Sequence, residues 1–232
     1  MAGLQDIIDR CTSIQIDRRK VVGIQTTLNE IPRTSLTPTK QPWRITVEMP
    51  KSYRYNQARA LMEALDVLDR YTPEIITFSN NTNLQWIFAY QGTMSPANIA
   101  DITVDSFIGN QLVLSTLPAI TSTRVLFEPN DLIQIGAFPY PFTVTQQVLR
   151  GSGLTVTLTM NRPNILTSPV AGETITVGNA CEFNMFCPNM PTYKMTPGGF
   201  QRYNNQLTGA IINNAYLEFS SPFSLYEYVG GA

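Results

Sequence analysis

The sharpest pattern of apolar and polar positions in the chain runs from Pro42 to Phe78. Trp43, Ile45, Val47 and Met49 alternate with Arg44, Thr46 and Glu48, which gives an extended chain one apolar face and one wet face. The period then changes. Between Asn56 and Tyr71 the residues Ala58, Leu61, Leu65 and Leu68 form one stripe, with Arg59, Glu63, Asp66 and Arg70 mostly off it. That spacing predicts an amphipathic helix with Asn56 as N-cap and Pro73 as its stop. Ile75, Thr77 and Phe78 begin another extended segment. This is the one strong helical signal, and an isolated helix of this kind packs its stripe across a sheet.

On either side the pattern is mostly strand. Leu4, Ile7, Ile8 and Cys11 share a stripe that predicts a short helix in residues 1–12, too short to stand without a partner surface. Ser13 to Asp17 alternates as a strand, and Val22, Ile24 and Thr26 repeat the alternation. Pro32 and Pro38, among Thr and Ser, favour extended or polyproline backbone, so residues 1–41 are expected to form an N-terminal arm. Downstream, Leu84 to Tyr90 predicts a strand with Trp86, Phe88 and Tyr90 on one face. Ile102 to Phe107 and Gln111 to Leu114 flank Gly109-Asn110, a hairpin signal. After Asp131 to Ile135, a hairpin of Phe142 to Leu149 and Leu154 to Met160 is expected about Arg150-Gly151-Ser152-Gly153. Segments 174–177, 181–186, 192–195 and 216–219 continue the series. The fold class expected is mainly β (α+β). A β-sandwich or barrel-like domain with one bracing helix, split as 42–92 and 181–232, holds an inserted small β-barrel-like domain at 93–180.

Composition narrows the chemistry. Charged residues make up only 14% of the 232 residues, well below the usual quarter or so. Residues 1–70 hold 11 basic and 8 acidic side chains, and residues 71–232 hold 5 and 9. A long segment so poor in charge suits a protein that lives inside an assembly, or a loop-rich domain kept in solution by amides and hydroxyls. No leader-like sequence opens the chain and no long apolar run occurs, so neither secretion nor a membrane span is expected. Three cysteines, Cys11, Cys181 and Cys187, form no framework and fit buried thiols made in a reducing cytoplasm.

Histidine is absent, which removes the commonest general base and metal ligand. No catalytic residue, cofactor site or metal site is expected. The acids Glu63, Asp66 and Asp69 sit beside Arg59 and Arg70 as a solvated helix face, in place of a glycosidase pair. No phosphate-binding glycine loop is present. Arg18, Arg19 and Lys20 are too few to hold nucleic acid and are expected to meet a protein partner. Trp86, or Tyr226 and Tyr228, are candidates for stacking on sugars, though alternate aromatics on a strand also build cores.

The order of pieces resembles tailed-bacteriophage tail proteins of the distal-tail or baseplate-hub type. The resemblance rests on residues 41–50, the Ala- and Leu-bearing helix to Tyr71, and the strand after it. Beyond the insertion it continues in residues 131–136, the strand from Phe142, Gly151-Ser152-Gly153, the strand to Met160, and Asn161-Arg162-Pro163. It implies a virion structural protein without catalysis, assembled in the host cytoplasm into a ring that joins the tail tube to the baseplate. Its partners would be other tail proteins and itself, with no membrane, nucleic acid or small-molecule substrate. Arg70-Tyr71-Thr72-Pro73 departs from the Arg and Gly turn such proteins often use between helix and strand. The alternative is a carbohydrate- or receptor-binding β-sandwich module of a virion.

Overall fold

The computed structural model describes residues 3–17, 22–26, 32–36, 42–50, 53–67, 72–166, 170–196, 203–204, 211–212, 216–220 and 222–229. The chain is mainly β, with several antiparallel sheets and three α-helices among the described residues, Gly3–Arg10, Tyr55–Val67 and Pro96–Ala100. Its central sheet has five strands in the order Ser13–Asp17, Arg44–Glu48, Phe223–Glu227, Phe183–Phe186 and Glu74–Ile76, all antiparallel. The alternation of 43–49 is obeyed residue by residue. Ile45 and Val47 are fully buried while Arg44 and Glu48 are exposed, because reversing the register would put both aliphatics in water.

The core beneath this sheet gathers Trp43, Phe78, Phe88 and Phe183, whose rings meet edge-on or tilted at 5.0–6.3 Å, a geometry that suits the ring quadrupoles. Ala58, Leu61 and Leu65 of the helix Tyr55–Val67 join the same core. That helix begins at Tyr55, so Asn56 lies in its first turn and is not the cap. It touches the first helix and the strand Tyr216–Phe219. Tyr216–Phe219 belongs to a separate sheet with Tyr193–Thr196 and Tyr53–Arg54, and Phe223–Glu227 takes the central position beside Arg44–Glu48.

The expectation of an arm over 1–41 is corrected for residues 3–17. Leu4, Ile7, Ile8 and Cys11 are at most 1% exposed, and Ser13–Asp17 is a strand of the central sheet. Eight residues are too few for a helix on propensity alone, and here the ends are held by other parts of the chain. Leu4 N–H donates to Glu74 Oε2 at 2.9 Å, and the Gln5 amide exchanges two hydrogen bonds with the backbone of Thr77. Asn81 Nδ2 donates to the Ile8 carbonyl at 2.6 Å. Terminal groups that a helix leaves unpaired are thereby satisfied. Val22–Thr26 and Pro32–Leu36 pair with each other as a hairpin.

A second core, of residues between Met94 and Ile175, fills the inserted unit. Its strands form a three-stranded sheet of Val156–Thr159, Gln111–Ser115 and Thr103–Ile108, another of Phe142–Thr143, Leu132–Ile135 and Ile175–Val177, and a pair of Val148–Leu149 with Val125–Phe127. The Gly109-Asn110 turn forms as expected, with Ile108 opposite Gln111 and positive φ at Gly109, as primed hairpin turns require. The hairpin expected about Arg150–Gly153 does not close. Strand Val156–Thr159 pairs with Gln111–Ser115 instead, and only the far ends touch, at Val144 and Met160. Arg150 N–H is drawn to the Arg124 carbonyl and its Nε to the Pro118 carbonyl, which pulls the turn away from its expected partner.

Leu84 to Tyr90 is likewise not a strand. Asn81 Oδ1 accepts from the N–H groups of Asn83 and Leu84, and the bonds Gln85 N–H to Asn81 O and Ile87 N–H to Leu84 O continue a run of turns. Asn offers the backbone this local alternative to a ladder. Trp86, Phe88 and Tyr90 therefore share no face. Phe88 is in the core and Trp86 is 69% exposed.

The two units meet closely. Gly178, at φ +78°, lies where the chain leaves the insert, and a Cβ there would come within 3.0 Å of Tyr90 N and 3.2 Å of Phe88 O. Nearby, Asp131 is buried and accepts from Gln91 N–H and Glu128 N–H at 2.9 and 2.8 Å. Burial pushes its carboxyl upward despite these bonds.

Candidate functional site

The wet face of the central sheet carries the site. Arg44 stands opposite Tyr226 and Thr46 opposite Ser224 in the strand register, and Tyr226 stands opposite Phe186 on its other side. Side chains on one face of adjacent strands are neighbours. The result is a row of Arg44, Tyr226 and Phe186, with the guanidinium carbon 5.5 Å from the Tyr226 ring centroid and the Tyr226 and Phe186 rings 6.1 Å apart. Tyr228 extends the row, edge-on to Phe186 at 6.1 Å. Arg44 Nη2 donates to Ser224 Oγ at 3.4 Å, and the Ser224 and Thr46 hydroxyls lie 3.0 Å apart.

Residues 189–191, Ser220 and residues 222–224 close over this end of the row and make a cleft of about 420 Å³, within the size range of small-molecule sites. Its lining includes Asn189, Ser220, Ser224 and Tyr226, with Arg44 as the one charged side chain among the described residues there. A smaller cleft of about 260 Å³ adjoins it through Ser220 and holds Lys194 and Glu218, which are cross-strand partners. Ser220 is anchored from behind, its Oγ accepting from Thr192 N–H at 2.9 Å and its own N–H donating to Thr192 O at 2.7 Å.

The strand that presents Tyr226 outward turns the next side chain, Glu227, inward. There Arg162 Nη1 and Nη2 meet the two Glu227 carboxylate oxygens at 2.5 and 2.7 Å, with both side chains fully buried. Trp43 N–H also donates to Glu227 Oε2 at 3.0 Å, and Trp43 Nε1 and Arg162 Nη2 both donate to the Pro141 carbonyl. Arg162 and Pro141 belong to the insert, Trp43 and Glu227 to the split body. The floor under the wet face is therefore tied to the second unit by a bidentate, charge-assisted contact.

Of the residues singled out from sequence, Tyr226 lines the cleft and Tyr228 lies two rings away. Trp86 lines neither cleft, and its Nε1 donates to the Asn83 carbonyl at 2.6 Å. Arg18, Arg19 and Lys20 lie outside the described residues. Arg44 and Ser224 were not anticipated as site residues, although the alternation of 43–49 already put Arg44 on the wet face. Among the described residues no three His, Cys, Asp or Glu side chains converge on a common point, and no helix is long and apolar enough to cross a membrane. Comparison of the chain with known protein families and with characterised proteins found no match.

Proposed function

We propose that the chain is a structural protein of a phage tail or baseplate hub, forming or joining a ring at the junction of tube and baseplate by protein–protein assembly. The observation that carries this reading is the architecture. A helix-bearing β body is interrupted by a second β core and tied to it through the buried Arg162–Glu227 pair. A block of this kind is suited to transmit load between neighbours, since its two cores are joined by a buried, bidentate contact. The low charge content supports it, as do Ile108 and Leu154, 78% and 88% exposed at either end of the three-stranded sheet. The resemblance in the order of strands and helix supports the same reading.

Function here is assembly: neighbours bury surface against the block, and that burial offsets the entropy of association. Native mass spectrometry of the purified chain, alone and with the tail proteins of its own virus, tests the reading. A closed oligomer or a defined complex is expected. A monomer that never enters tail particles overturns it.

A further inference from the structure

We infer that the cleft at Arg44 binds a carboxylated sugar, with the guanidinium receiving the carboxylate. Arg44 is exposed, and its guanidinium is directed by the Tyr226 ring and by Ser224 Oγ, two contacts that reduce the side-chain freedom it loses on binding. A guanidinium carries five N–H donors, and one is spent on Ser224. Among the described residues no carboxylate lines the cleft, although Asp17 stands opposite Arg44 in the strand register, on the side away from Tyr226. A cation at a cleft that has no carboxylate among its described lining residues calls for an anionic ligand there.

The remaining lining selects the kind of anion. Asn189, Ser220 and Ser224 offer amide and hydroxyl groups that both donate and accept, as sugar hydroxyls demand, and Pro191 and Pro222 give flat apolar walls. An extended acidic peptide fits less well. The strands under the cleft, Arg44–Glu48 and Phe223–Glu227, are each paired on both sides, so no sheet edge is open there to grip a peptide backbone. The ligand must be read by side chains. The adjoining cleft beyond Ser220 gives a second sugar unit room, with Lys194 and its cross-strand partner Glu218 in its lining.

The test is calorimetric titration of the whole chain with uronic-acid oligosaccharides and with their neutral counterparts. Saturable binding of the acidic series is expected, with the neutral series weaker by about tenfold or more, the scale of one charge-assisted hydrogen bond. Arg44→Gln should lose the same factor at unchanged melting temperature. Amide chemical shifts in the wild-type chain should move at Ser224 and Tyr226, a readout that does not rely on the variant folding. Equal affinity for acidic and neutral sugars overturns the inference, as does full binding by Arg44→Gln. Saturable, Arg44-dependent binding of a polyglutamate peptide without uronate binding also overturns it and assigns the cleft to an acidic protein segment. Because the isolated chain is titrated, the result is independent of whether it assembles into a ring.

Discussion

Arg162 and Glu227 are 65 residues apart in sequence, and their side chains meet at 2.5 and 2.7 Å with no exposure to solvent. The guanidinium also lies 4.9 Å from the Phe142 ring centroid, so the pair is seated between the two cores. Such a contact is costly to desolvate and costly to break, and these two facts make different predictions.

Glu227→Ala leaves a buried guanidinium uncompensated and should destabilise the fold by about 3–5 kcal/mol. Replacing both partners with apolar residues, Arg162→Met with Glu227→Leu, should recover most of that loss. Urea midpoints of the two variants check this. A double variant as unstable as the single one would mean that the pair contributes more than mutual compensation.

The first helix is part of the core, so Ile7→Ala should cost about 2–5 kcal/mol, the range for deleting a buried aliphatic side chain. Removal of residues 1–12 should leave a chain that no longer unfolds as the parent does. Thermal denaturation followed by circular dichroism decides between this and a dispensable arm.

Gly178 and Gly109 both have positive φ, yet only Gly178 is crowded. Gly109→Ala meets no neighbouring atom and should cost about 1–2 kcal/mol, the strain of a left-handed residue. Gly178→Ala adds a clash with the backbone of Tyr90 and should cost clearly more. The difference in denaturation midpoint measures how tightly the two chain crossings are packed.

Burial pushes the Cys11 thiol and the Tyr53 and Tyr90 hydroxyls up to about 12, and pushes the Cys181 thiol up further. Above the ordinary thiol range, about 8.5, the unfolded chain releases protons that the folded chain keeps. Stability from these groups is therefore full below that range and is lost as pH rises toward 12. Urea midpoints should fall between about pH 9 and about pH 11 while these groups contribute no slope near neutrality. In the folded chain Cys11 and Cys181, both buried with their thiols pushed up, should resist a thiol reagent at about pH 8, because the thiolate is the reactive form. Rapid labelling of Cys11 would contradict the burial of the helix that precedes it.

Much of the fold was legible wherever the pattern is local. The faces of 43–49, the stripe of Ala58, Leu61 and Leu65, and the Gly109-Asn110 turn all follow from spacing, and the structure keeps them. What failed was decided by competing hydrogen bonds, one set local and one distant. Leu84 to Tyr90 has the composition of a strand, but the Asn81 side chain captures its backbone. The Gly-rich turn after Arg150 is diverted by Arg124 and Pro118. Val125–Phe127 and Pro96–Ala100 are among the elements overlooked, although Ser95 as N-cap and Pro96 at the first helical position signalled the latter. At the site, Tyr226 could be picked out as an aromatic on a strand, whereas Arg44 gains meaning only when the register brings it over that ring. Arg162, between Asn161 and Pro163, carries no local sign of the acid it meets.

The position of Phe223–Glu227 between Arg44–Glu48 and Phe183–Phe186 has a consequence for biosynthesis. Every core residue of the insert lies between Met94 and Ile175, so that unit can condense on the ribosome while the body still has a vacancy at its middle. Until residues 223–227 emerge, Arg44–Glu48 and Phe183–Phe186 each present an unpaired edge beside apolar side chains, the condition in which nascent chains pair with the wrong partner. The last strand of the sheet to be made closes that gap. It also delivers Glu227 to Arg162, so closure of the body adds the buried ion pair to the contacts, such as Trp43 Nε1 to the Pro141 carbonyl, that already join it to the insert.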